Sequence, residues 1–159
     1  MNQKPRVHWD EREPPAANAR RELPGLASRY FGRGRELLAK APEAGDLHRL
    51  RLETKRLRYT LELFRPCYGP GLEARLGELR AVQQMLGEIN DYAEAGRLLA
   101  KEMARSPARE RVVRFLETRA EGKARAFRKH WAGVFDGPGR ERWWTSYLAQ
   151  AARAPRQRT

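Results

Sequence analysis

The sequence predicts an all-α protein, an antiparallel up-down four-helix bundle with a short additional C-terminal helix. Three observations carry that reading. Apolar residues recur at steps of three and four over long stretches, which is the spacing of a helix face. No stretch alternates apolar and polar residues over the length of a strand. Prolines and glycines cut the chain at intervals of helix length, and the short links they leave favour antiparallel neighbours.

Residues 1–15 are charged and proline-rich and read as a flexible N-terminal arm. Residues 16–153 form one helical domain. Its first helix covers about residues 16–40, and Leu23–Gly25 must kink it or mark its true start, because proline lacks a donor and clashes inside a helix. Asp46 is a good N-cap for a second helix that runs to Phe64 and stops before Pro66. Gly69–Gly71 separates it from a long third helix over about 71–104. Ser106 followed by Pro107 is a cap-then-first-turn signature for a fourth helix ending near Phe135. Asp136–Gly139 precedes a short fifth segment, RERWWTSYLAQAA, and residues 154–159 are a basic tail.

A chain of 159 residues is long enough for one real core. Lys and Arg number 33 against 20 Asp and Glu, a formal net charge of +13. Such a protein attracts polyanions: nucleic acid, an anionic membrane or polyphosphate. The single cysteine, Cys67, excludes an internal disulfide and fits a reducing compartment. No apolar run reaches the roughly 18 residues of a membrane span, and the first residues have no apolar signal core. A cytoplasmic protein is the expectation.

The charge is concentrated in DLHRLRLETKRLRYTLELF, Asp46 to Phe64. At about 100° per residue, Leu50, Thr54, Leu57, Leu61 and Phe64 form a core seam. His48, Arg51, Lys55 and Arg58 keep the same spacing in a sector of roughly 80° beside it. Arg49 and Arg56 sit further round, and between His48 and Glu62 the one acid is Glu53. Like charges at these spacings repel by a few tenths of a kcal/mol per pair, on the order of 0.2–0.5, so the pattern points to a ligand that neutralises them. The alternative is a solvated basic face.

On the fourth helix, Val112, Leu116, Phe127, Trp131 and Val134 mark an apolar stripe with Arg119, Lys123 and His130 along its centre. A cation in a packed core needs an acid, a wet groove or an anion; snorkelling of the long stems is the alternative. The third helix has a seam of Leu72, Leu76, Leu79, Val82, Leu86, Ile89 and Ala93, with Gln83, Asn90 and Arg97 recurring on one side. Gln83 and Asn90 fit a role in pinning helix register, and Asp91 is placed to orient a basic side chain of the second helix.

These residues resemble the CHAD domain, named for conserved histidines in an α-helical domain. The resemblance rests on His48, Arg51, Lys55, Arg56 and Arg58 in the pattern H-x-x-R-x-x-x-[KR]-R-x-R, and on Leu79, Gln83, Leu86, Gly87, Asn90 and Asp91 in L-x-x-x-Q-x-x-L-G-x-x-N-D. It covers residues 46–100 best. It implies a helical domain whose basic groove binds inorganic polyphosphate without catalysis, often at polyphosphate granules. The implied binding residues are His48, Arg51, Lys55, Arg56 and Arg58; Arg119, Lys123 and His130 join them from helical phase. Such domains usually carry two repeats in about twice this length, so either one repeat suffices or two chains pair as a homodimer. KRLRY with LGEIND looks most like a second repeat.

Polyphosphate offers no bases or sugars to read, so a ladder of cations suffices: arginines grip phosphoryl oxygens bidentately, and lysines act as point charges. His48 would add a pH dependence near neutrality. No nucleotide-loop, zinc-protease or paired-cysteine motif is present, so no enzyme, cofactor or metal is expected. A nucleic-acid-binding module is the alternative, since electrostatics alone does not separate two polyanions. Its only stacking candidates are Trp143, Trp144 and Tyr147, which better suit a capping helix that packs on the bundle.

Overall fold

A computed structural model describes residues 7–153. It contains five helices: α1 (Pro15–Leu38), α2 (Ala44–Leu63), α3 (Gly71–Glu102), α4 (Pro107–His130) and α5 (Arg140–Gln150). There is no strand among the described residues. Residues 1–6 and the tail 154–159 lie outside the described residues.

Local chemistry sets most of the ends. Pro15 opens α1, and the helix runs straight through Pro24 instead of starting there. Leu23 and Ala27 on either side are completely buried, and that packing offsets the lost hydrogen bond. Asp46 is not the N-cap of α2. Glu43 holds that position, and the Asp46 carboxylate reaches back from inside the first turn to accept from the Glu43 N–H at 3.1 Å. Ser106 does cap α4, accepting from the Arg109 N–H at 3.1 Å, with Pro107 next. Residues 7–14, expected to be part of a flexible arm, are tied to α1. The Asp10 N–H donates to Asn18 at 2.8 Å and the His8 N–H to Glu22 at 3.1 Å, while Trp9 packs on Phe64.

α1 packs against α2 and α5, α2 against α3, and α3 against α4. The expected seams of α2 and α3 are buried from Leu50 to Leu61 and from Leu72 to Ile89, with Phe64 and Ala93 only half-buried at their ends. Thr54, polar within the seam, bonds the Leu50 carbonyl and the Tyr30 hydroxyl. The aromatic end of the core joins Phe31 of α1, Trp131 and Phe135 beyond α4, and Trp144 of α5. Gly34 is required there, since a Cβ would run into the Trp131 indole.

The stripe expected on α4 is buried only at Phe127 and Trp131; Val112 and Val134 are 47% and 57% exposed. Two causes act. Along most of its length α4 has α3 as its main neighbour, and one helix cannot enclose a stripe. After His130 the chain makes a wide π-helical turn, Trp131–Phe135, closed by the Asp136 N–H on the Trp131 carbonyl at 2.7 Å. That turn advances the phase by one residue, so Phe135 enters the core and Val134 leaves it.

Candidate functional site

The cations of α2 meet α3 edge to edge. His48 Nδ1 lies 3.3 Å from the Asn90 side-chain oxygen. That contact is a hydrogen bond when the proton is on Nδ1, leaving Nε2 as the free ring nitrogen. Arg51 lies over Gly87, where an added Cβ would stand 3.9 Å from its Nε. Arg58 donates from Nε to Gln83 at 3.0 Å and pairs with Glu62 at 2.7 Å. Its guanidinium also sits 4.4 Å from the Tyr59 ring centroid. Helix pitch thus turns the spacing 48-51-58 on α2 into the opposing run 90-87-83 on α3. Gln83 and Asn90 do more than set register: each holds one basic side chain in place.

Arg51 and Lys55 are half-buried and make no ion pair among the described residues. They form the uncompensated centre of the face. Arg56 is exposed and on the far side of the helix from α3, so it does not share the α3-facing edge. Asp91 is exposed and bonds to no basic side chain among the described residues, because the residue beside it, Asn90, faces α2. Arg97 pairs within its own helix, with Glu94.

Across α3, Lys123 of α4 pairs with Glu88 at 2.7 Å and lies 5.8 Å from the Tyr92 ring. The Lys123 ammonium holds the Glu88 carboxyl below its ordinary value, and Glu88 in turn raises Lys123. Arg119, one turn earlier, is exposed and lies over Phe115 at 5.3 Å. The expectation that Arg119, Lys123 and His130 stand in a packed core is therefore corrected. The core does not reach the part of α4 that carries Arg119 and Lys123, and Lys123 has its acid; His130 lies beside the buried Phe127 and Trp131 but is itself only half-buried. No hydrogen bond or ion pair joins it to the other cations.

Sequence reasoning missed the counterions Glu62, at i+4 from Arg58, and Glu88, which meets Lys123 across the α3–α4 contact. It also missed Arg75. Only 3% exposed, Arg75 wedges its guanidinium 3.5 Å from the Trp143 ring and 3.8 Å from the Tyr147 ring. Its signal was a cation at a core phase of α3, between Leu72 and Leu79. Arg140 covers Trp143 as well, at 4.3 Å, and the two guanidiniums are too close to the ring centre to share a face. Trp144 is buried and donates to Glu78. The aromatic segment is a capping helix whose exposed ring is already stacked.

No group of three or more His, Cys, Asp or Glu suited to a metal occurs among the described residues, and no described helix is long and apolar enough to cross a membrane. A family model described as CHAD domain matches residues 3–100. The chain belongs to the CHAD domain family. The match spans α1, α2 and nearly all of α3, so it contains the α2 cations with Gln83 and Asn90 and leaves out Arg119, Lys123 and His130. No curated protein and no solved structure matches this CHAD chain.

Proposed function

We propose that this CHAD domain binds inorganic polyphosphate without transforming it, along the edge of α2 that faces α3. One observation carries the reading. Arg51 and Lys55 stand uncompensated between two basic side chains, His48 and Arg58, that α3 holds in place. A repeating anion laid along this edge meets cations on successive turns, and the repulsion among them becomes attraction. Affinity then falls steeply with salt through counterion release. Arg119 and Lys123 extend the path across α3 once Glu88 is displaced; Arg56 contributes only to the surrounding field. In this reading the four long helices make the antiparallel frame, two chains pair to double the ladder, and the protein works at polyphosphate granules in the cytoplasm.

The test is competition. Labelled long-chain polyphosphate is bound at near-physiological salt against excess single- and double-stranded DNA, with wild type beside Arg51→Ala/Lys55→Ala/Arg58→Ala. Binding that survives DNA and falls at least about tenfold in the variant, which is 1.4 kcal/mol, upholds the proposal. Displacement by DNA at equal phosphate concentration would make the protein a general polyanion binder. Unchanged binding in the variant would remove the α2 edge as the site.

A further inference from the structure

A second basic site lies at the other end of α3, where its first turns meet α5. We propose that this cleft binds a small phosphoryl oxyanion of the pyrophosphate class, independently of the α2 edge. The cleft holds about 680 Å³ and is lined by Arg75, Arg142, Ser146, Tyr147, Gln150 and Arg153, among others. Three guanidiniums, two hydroxyls and an amide line it, with no carboxylate among the described residues.

Arg75 is what makes this more than a basic surface. A buried cation normally keeps an acid beside it, and Arg75 makes no ion pair among the described residues. Its Nη1 donates to the Gly71 carbonyl at 2.9 Å and its Nη2 to the Trp143 carbonyl at 2.6 Å. Nε is sealed from solvent without any partner. The nearest acid that acts on it, Glu78, is engaged by Arg140 and by the Trp144 indole. Aromatic stacking offsets part of the charge. Desolvation still holds the guanidinium down to about 10, so its charged form is disfavoured where it stands. An anion in the cleft relieves that penalty through the field. Arg142, exposed at the rim, supplies direct bidentate contacts; Arg153, whose Nη1 already donates to the Gln150 and Ala152 carbonyls, adds its remaining donors, and Ser146 and Gln150 supply further ones.

The stacked Trp143 face leaves no open ring for a base. A chain end of polyphosphate and free pyrophosphate share the chemistry, and the experiment separates them. The full chain is titrated calorimetrically with pyrophosphate and, separately, with long-chain polyphosphate. Wild type is compared with Arg142→Gln/Arg153→Gln and with Arg51→Gln/Lys55→Gln. The indole N–H resonance of Trp143, assigned with Trp143→Phe, reports occupancy of the cleft. The expected result is pyrophosphate binding that shifts this resonance, weakens at least tenfold in the rim variant and changes less than twofold in the α2 variant. If polyphosphate also shifts the resonance, chain ends occupy the cleft; if not, free pyrophosphate is its ligand, and both results uphold the site. Pyrophosphate that fails to bind, or binds the rim variant as well as wild type, overturns it. A loss of long-chain binding confined to the α2 variant concerns the other site alone.

Discussion

From Phe127 onward, α4 and its π-helical turn bury Phe127, Trp131 and Phe135 among Tyr30, Phe31 and Trp144. Between Pro107 and Ala126 the same helix buries no residue and leaves Val112 and Phe115 about half exposed. Both halves have apolar residues at helical spacing. What separates them is the number of neighbours: aromatic rings of α1 and α5 pack on Trp131 and Phe135 at one end, whereas α3 is the main neighbour of the other half. Periodicity reports that a helix has a face. Burial needs a third element to cover it.

The largest expected effect tests this contrast directly. Trp131→Ala should destabilise the fold by about 3–5 kcal/mol, as removal of a large core aromatic does. Phe115→Ala should stay within about 0.5 kcal/mol. Chemical denaturation of both variants measures the difference, and comparable losses would mean that the first half of α4 is packed in solution.

An intermediate effect concerns the built-in counterions. Glu62→Gln frees Arg58 from its carboxylate at 2.7 Å, and polyphosphate affinity should rise severalfold in the competition assay. Glu88→Gln frees Lys123 in the same way. An increase there would show that the ligand path crosses α3 to α4, and no change would confine it to α2.

The smallest effect is the pH dependence of the α3–α4 contact. Lys123 depresses the Glu88 carboxyl, so its contribution is fully present above the ordinary carboxylate range. It fades as pH falls through the lowered value. The pair is exposed, so salt screens it. In acid titrations of stability, Glu88→Gln should differ from wild type at neutral pH, and the curves should converge at the acid end. Parallel curves would mean that the pair contributes nothing.

Much of the fold was legible because it rests on local rules. Ser106 and Pro107 announced α4, and the leucines of α2 and α3 drew their seams without help from tertiary contacts. Where a choice between neighbours mattered, local rules ran out. Asp46 suits an N-cap by residue type, and only the observed backbone puts Glu43 there with Asp46 in the first turn. Pro24 warned of a break that packing at Leu23 and Ala27 overrode. At the site, the α2 ladder could be read from phase alone. Its supports Gln83 and Asn90 could be placed on a face but not assigned to Arg58 and His48, because that depends on how α2 and α3 slide past each other. Arg75 stayed hidden for the same reason: its partners, Trp143 and Tyr147, are some seventy residues away in sequence.

The ladder from His48 to Arg58 spans ten residues, which at 1.5 Å rise is about 15 Å of helix. A polymer of identical phosphates is far longer than that and has no unique register to find. On the proposed polyphosphate reading, each protein molecule occupies a short segment, and successive molecules line up along one strand as on a one-dimensional lattice. Saturation should follow the total number of phosphates, not the number of chains. A molecule can leave one segment for the next without full release, and long strands tether many copies at once, so the ligand's length sets the size of the assembly.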